Sequence, residues 1–165
     1  MCIRDSHVIV CVQFSELEKM MVKRLSNRLN KDQLKQLLFR PPYLLEDYFS
    51  VLKQADVNLE TFPFGGGNTV LQSIAAGTPM ITLTGNQIKE RFGTGFYAQL
   101  GTSQFCVTDI DAYVALAIKV ANTPKIKQEF QQFVAANKQK LFNVMDGTNQ
   151  IYQWMDTKHK LTKVD

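Results

Sequence analysis

Short apolar runs rich in branched residues alternate with helix-period stripes along the chain, and this alternation restricts the fold more than any other feature. Val8-Ile9-Val10-Cys11-Val12 is a continuous apolar run, the pattern of a strand covered on both faces. Leu17, Met21, Leu25 and Leu29 then recur every fourth residue, a helical stripe. Leu37-Leu38-Phe39 reads as a second strand stopped by Pro41-Pro42, and Leu45, Tyr48, Phe49 and Leu52 as the next helix face. Val57 to Phe62 is a third strand, closed by Pro63. Gly65-Gly66-Gly67 follows, then a helix with Val70, Leu71, Ile74 and Ala75 on its apolar side, ended by Gly77. Pro79 to Leu83 is a fourth strand, Arg91 to Leu100 a helix, and Gln104 to Val107 a fifth strand. Asp109 caps a helix whose stripe is Ile110, Tyr113, Val114, Ala117, Ile118 and Ala121. A long helix runs from Lys125 to Phe142, and a last one begins between Ile151 and Met155.

Alternation of this kind predicts an α/β fold: a Rossmann-like open, mainly parallel sheet with helices on both faces. A length of 165 residues fits one domain, expected over residues 8–165 with C-terminal helices. Residues 1–7 start no element, and are expected to be a non-native or unstructured start. A chain that opens directly on a core strand is expected to be cut from something longer.

Composition serves mainly to exclude. Apolar residues at 45% and charged residues at 21% are those of a globular chain and exclude disorder. The net charge of +4 comes from scattered basic residues, denser from Lys125 to Lys140 and from Lys158 to Lys163. Neither patch interleaves aromatics with arginines, so no nucleic-acid partner is expected; solvated helix faces account for both. A mild positive balance suits an anionic small ligand. Cys2, Cys11 and Cys106 are an odd set with no C-x-x-C spacing, and His7 and His159 lie at opposite ends, so neither a disulfide framework nor a metal site is expected. Cysteine usage points to a reducing, cytoplasmic setting. No apolar run approaches the roughly 18 residues of a membrane span, and the start is not a signal peptide.

Chemistry concentrates between Val57 and Met80, which reads as strand, side-chain-free loop and helix N-terminus. Three glycines let a ligand approach the backbone and permit positive φ. The first N–H groups of the following helix have no internal partner and carry the positive end of its dipole. Asn68 and Thr69 add side-chain donors there, and the whole suits a diphosphate. The loop lacks a Walker lysine and the G-x-G-x-x-G order. In open α/β sheets such a loop lies beyond the carboxyl ends of the strands, where ligands bind. A plain glycine-rich turn is the other reading that the spacing allows. On the binding reading, Gly66→Val places a Cβ where phosphate must go. Elsewhere, Cys11 and Cys106 sit inside strand patterns as core residues.

Ala55 through Thr69, Ala76 to Leu83 and Gly85 to Arg91 resemble the donor-binding region of O-GlcNAc transferase-like proteins and of the bacterial cytoplasmic protein N-glucosyltransferases that modify adhesins. Asp111 to Ala117 is similar to the helix that follows in that family. The resemblance covers roughly Val8 to Met155 and is strongest from Ala55 to Leu100. It implies the C-terminal half of a GT-B glycosyltransferase fold, in which two Rossmann-like domains face each other across a cleft. It also implies a UDP-sugar as donor substrate, inversion, no cofactor and no metal. Positive charge and helix dipoles would then stabilise the departing UDP. The implied partners are the UDP-sugar, the N-terminal GT-B domain that this chain lacks, and a protein or similar acceptor. Alone, the chain is expected to bind UDP without turnover.

By the same resemblance, Gly65 opens a turn in which Gly66, Gly67, Asn68 and Thr69 contact the diphosphate. The family's His-Thr-Thr is Gly67-Asn68-Thr69 here. Gln72 falls where an acidic side chain would hold the ribose hydroxyls, Arg91 matches an arginine after the Gly85 turn or serves as a surface or ion-pairing residue, and Gln13 matches a glutamine after the first strand. The phosphate-binding lysine expected three residues beyond Gln13 is Glu16, with Lys19 the nearest substitute. Tyr48 occupies a base-contacting position, stacking on uracil or packing in the core. Tyr152 and Trp154 belong to a terminal helix that docks. The alternatives are a non-catalytic nucleotide-sugar-binding or scaffolding module, which Glu16 favours, and a UDP-sugar 2-epimerase, for which no paired acid–base residues are found.

Overall fold

The computed structural model describes residues 7–142 and 145–161. Residues 1–6 of the expected start at 1–7, Cys2 among them, the side chain of His159 and most of the second basic patch lie outside what is described. Two compact units are present, Met1–Ser50 and Val51–Asp165.

The first unit contains β1 (Val8–Cys11), α1 (Ser15–Leu25), α2 (Lys31–Lys35), β2 (Leu37–Arg40) and the start of α3 (Leu45–Gln54). β1 and β2 pair in parallel, Val8 opposite Leu37 and Cys11 opposite Arg40. The helix α2 has no apolar stripe and was not expected. It is set by a capping box: the Asn30 side chain accepts the N–H groups of Asp32 and Gln33, while Asn30 N–H donates to the Gln33 side chain. The expectation of a strand covered on both faces is not met. Val8 is 44% and Ile9 46% exposed, and Cys11 is exposed. A two-stranded ribbon has two open faces, and no described residue of this unit is buried.

The second unit carries a parallel sheet in the order β3 (Asn58–Leu59), β4 (Met80–Leu83), β5 (Cys106–Val107). Between and after the strands come α4 (Asn68–Ala75), α5 (Phe92–Leu100), α6 (Ile110–Ala121), α7 (Pro124–Asn137) and α8 (Asp146–Leu161). Both units are thus α/β with parallel strands, as the alternation predicts. Gly77 and Gly101 close α4 and α5 in the left-handed region, with φ of 72° and 98°.

The core surrounds the central strand β4. Val70 and Ile74 of α4, Ile81 of β4, and Tyr97 and Leu100 of α5 are fully buried, with Phe105, Val120 and Phe130 against them. Phe105 and Phe130 meet edge to face at 5.0 Å, and Tyr97 lies 5.6 Å from Phe105. The Tyr97 hydroxyl accepts Met80 N–H at 2.9 Å and donates to Met80 C=O at 3.0 Å, and burial pushes its pKa far up. Tyr97→Phe keeps the ring but strands both Met80 groups in the core. A loss of about 2 kcal/mol in urea unfolding is expected.

Two helical expectations change. The stripe read on α6 splits: Tyr113 and Val120 are buried, whereas Ile110, Val114 and Ile118 are 57%, 48% and 40% exposed. The sequence stripe merges two adjacent apolar rows, and only one meets the sheet. The helix read from Lys125 to Phe142 ends at Asn137 and passes into a 3-10 turn, Lys138–Lys140. Asp109 caps α6 as expected, accepting Ala112 N–H at 2.8 Å. Tyr152 and Trp154 of α8 are exposed, at 69% and 63%. Among the described residues no helix is long and apolar enough to cross a membrane.

Candidate functional site

Glu60 N–H makes one last bond to Ile81 C=O, at 3.1 Å, and the chain then leaves the sheet through the cis Phe62–Pro63 peptide. It turns at Gly65–Gly67 and enters α4. The turn therefore lies past the carboxyl end of β3, where an open α/β sheet places ligands.

The amides of this turn divide in two. Gly65 N–H donates to Lys89 C=O at 2.8 Å, and Gly66 N–H donates to Glu60 Oε1 at 2.9 Å. Gly67, Asn68 and Thr69 N–H have no acceptor among the described residues. They open α4, whose cap Gly67 makes no side-chain bond and whose first turn carries no acid. Unpaired donors, the positive end of the helix dipole and a first turn without an acid make this an anion-accepting end. It sits one step further along the chain than the glycine run alone suggests.

Two of the three glycines serve a different purpose from the one expected. None of the three has positive φ. A Cβ on Gly65 would meet Glu60 Oε1 at 2.7 Å and Lys89 C=O at 3.1 Å, and one on Gly66 would collide with the Thr69 hydroxyl. Gly67 alone faces open space, with nothing within 4 Å. Gly66→Val therefore disturbs the turn itself and does not isolate the space a phosphate would fill.

Glu60 is the residue that sequence reasoning missed. It is 5% exposed and accepts Gly66 N–H at Oε1 and the Thr82 hydroxyl at Oε2, the latter at 2.6 Å. Desolvation raises its pKa, partly offset by those two hydrogen bonds. Gly93, at the start of α5, is bare because the same carboxylate and Thr82 occupy the room its Cβ would need. The available signal was an acid inside an apolar strand run.

Beside the turn, an open cleft of about 530 Å³ lies at the carboxyl ends of the strands, lined by Phe62, Pro63, Thr84, Asn86, Arg91 and Thr108 among others. Arg91 is exposed, and makes no ion pair among the described residues. It follows the 3-10 turn Ile88–Glu90, whose Lys89 carbonyl holds Gly65, so the structure joins Arg91 to the glycine turn. Asn68 and Thr69 are exposed, while Gln72 is half-buried one turn along α4 with its amide unbonded among the described residues.

Gln13 and Tyr48 belong to the first unit. Gln13 is exposed between β1 and α1. Glu16 and Glu18 stand in the first turn of α1, where an acid complements the helix dipole whatever else it does. Tyr48 is half-buried on α3 with its ring edge-on to Phe49 at 6.4 Å, and burial, then Cys11, pushes its hydroxyl up. Among the described residues no group of three or more His, Cys, Asp or Glu side chains is placed to hold a metal ion.

Comparison with known proteins matches residues 5–151 to the family described as Glycosyl transferase family 41. The chain is 25% identical over 97 residues to the UDP-glucose:protein N-beta-glucosyltransferase of Actinobacillus pleuropneumoniae serotype 5b, covering 58% of this chain and 15% of that protein. It is 26% identical over 90 residues to the probable UDP-N-acetylglucosamine--peptide N-acetylglucosaminyltransferase SPINDLY of Hordeum vulgare, covering 54% of this chain and 10% of that one. Among solved structures, a mutant of Thermobaculum terrenum O-GlcNAc transferase superposes with a TM-score of 0.78 at 16% identity, over 90% of this chain and 30% of that one. The match thus spans a small part of each relative.

Proposed function

The chain belongs to glycosyl transferase family 41, and on that premise we propose that it is the donor-binding part of a UDP-sugar-dependent glycosyltransferase acting on protein acceptors. The observation that carries the reading is the set of three unpartnered amides, Gly67, Asn68 and Thr69, at the positive end of α4. A pyrophosphate supplies the acceptors those donors lack. Arg91, free of any ion pair among the described residues and joined to the turn through Lys89, is the nearby cation for the same group. Gln72 is read as the ribose contact, while Gln13 and Tyr48 are carried by the family resemblance.

In this reading the transfer is inverting and metal-independent. As the sugar–phosphate bond breaks, negative charge grows on the departing UDP, and fixed amides plus a guanidinium stabilise that charge with little reorganisation. The acceptor side and the base are assigned to an N-terminal GT-B domain. Apolar side chains left exposed on β1 and α8 support such a partner. The setting is taken as cytoplasmic.

Calorimetric titration of the chain with UDP, UMP and uridine tests the reading. UDP is expected to bind in the micromolar-to-millimolar range, at least tenfold tighter than uridine, with no sugar transfer by the chain alone. Equal affinity for UDP and uridine, or no heat at millimolar UDP, contradicts a diphosphate site.

A further inference from the structure

We propose that Glu60 is a positioning residue for the diphosphate site, its buried carboxylate fastening the Gly66 amide to the Thr82 hydroxyl so that the next three amides project outward. The inference rests on the donor-site reading above. Its geometry is independent of any ligand. Oε1 accepts Gly66 N–H at 2.9 Å and Oε2 accepts Thr82 Oγ1 at 2.6 Å, so one side chain ties the turn to β4. The backbone of the same residue is fixed twice: its N–H bonds Ile81 C=O, and its C=O accepts the Tyr113 hydroxyl at 2.8 Å. Gly65 and Gly93 leave the space the carboxylate fills. A residue held from this many sides determines where Gly67, Asn68 and Thr69 point.

Among the described residues no cation pairs with this carboxylate. Both ion pairs among the described residues lie elsewhere, at Lys35–Asp32 and Lys125–Glu129. The titratable groups around it are Tyr97 on α5, Cys106 on β5 and Tyr113 on α6, all raised chiefly by desolvation, Cys106 to about 11 and Tyr113 to about 12. They stay neutral from acid to mildly alkaline pH. Lys89, Glu90 and Arg91, on the segment tied to Gly65, carry formal charges, and none of them bonds Glu60. The charge state of Glu60 is therefore the variable beneath the turn. Ionised, it accepts the Gly66 amide more strongly and fixes the turn; protonated, it holds that amide more weakly.

The test compares the chain with Glu60→Gln, which keeps an oxygen for Gly66 N–H and offers an N–H to Thr82. Two readouts are taken across pH 4–8: the Gly66 amide shift without ligand, and the affinity for UDP. In the native chain the Gly66 shift is expected to titrate with a midpoint above 4.5, the usual value of a glutamate. UDP affinity relative to the variant should rise about tenfold over the same interval, because only the ionised carboxylate tightens the turn and the ligand's own titration is common to both proteins. The variant's Gly66 shift should stay flat. A Gly66 shift that ignores the Glu60 titration, or parallel affinity profiles in the two proteins, overturns the proposal. If neither protein binds UDP, the donor-site reading fails, while the Gly66 shift still decides whether the fastening exists.

Discussion

Gly93→Ala is expected to destabilise the chain by about 3 kcal/mol, an unusually large loss for adding one methyl group near a helix start. The added Cβ would overlap the Thr82 hydroxyl and approach Glu60 Oε2 at 2.8 Å. Overfilling a packed site costs about 1–3 kcal/mol, and displacing Thr82 from the carboxylate removes a charge-assisted hydrogen bond of similar size. Gly95, two residues along the same helix, is the control: an added Cβ meets nothing within 4 Å. There Ala only improves helix propensity, so Gly95→Ala should be neutral or stabilising by up to about 1 kcal/mol. Urea unfolding of the two variants checks the pair. Equal and small changes would show that the Glu60–Thr82 contact does not fill that space.

Gly67→Val is expected to weaken UDP binding at least tenfold while the chain stays folded. Of the three consecutive glycines, only this one faces open space, and it caps the helix whose amides are unpaired. An added Cβ at the cap meets nothing within 4 Å, and a branched side chain there enters the volume in front of those donors. Stability should change by no more than about 1 kcal/mol, while affinity falls at least tenfold, equivalent to about 1.4 kcal/mol. Calorimetry with UDP, alongside urea unfolding, separates the two effects. Retained binding would move the phosphate away from the α4 terminus.

The parts of the fold that local pattern determines were legible. The strand runs at Val8, Leu37 and Pro79 and the stop at Gly77 appear where expected, because apolar runs and a left-handed cap act within a few residues. Patterns that need a partner were misread. Val8-Ile9-Val10-Cys11-Val12 looks like a strand covered twice, but Val8, Ile9 and Cys11 are exposed and Val10 and Val12 only half-buried. Ile110, Val114 and Ile118 look like core because sequence gives hydrophobicity without saying which of two apolar rows meets the sheet. At the site, the turn and the helix start were visible in Gly65–Thr69. The reason for two of the glycines was not: their neighbours, Glu60 and Thr69, act through distances no linear spacing encodes. The glycines of the candidate ligand loop were read as room for ligand, when Gly65 is room for a carboxylate.

The pH dependence of folding follows from the same carboxylate. Because burial raises the pKa of Glu60 above its unfolded value, the stability it contributes is complete below about 4.5 and declines as pH rises through the raised value. Glu60→Gln lacks that decline. The stability difference between variant and native chain should therefore move in the variant's favour on going from pH 4 to pH 8, as read by urea unfolding.

The central claim is that the amides of Gly67, Asn68 and Thr69 receive a nucleotide's diphosphate. Amide chemical shifts of the 15N-labelled chain, followed during titration with UDP and then with uridine, test it most directly. The account predicts that these three signals move together and saturably with UDP, with Arg91 responding, and barely with uridine. If they stay still while UDP binds, or if the shifts gather elsewhere on the chain, the diphosphate does not sit at the start of α4.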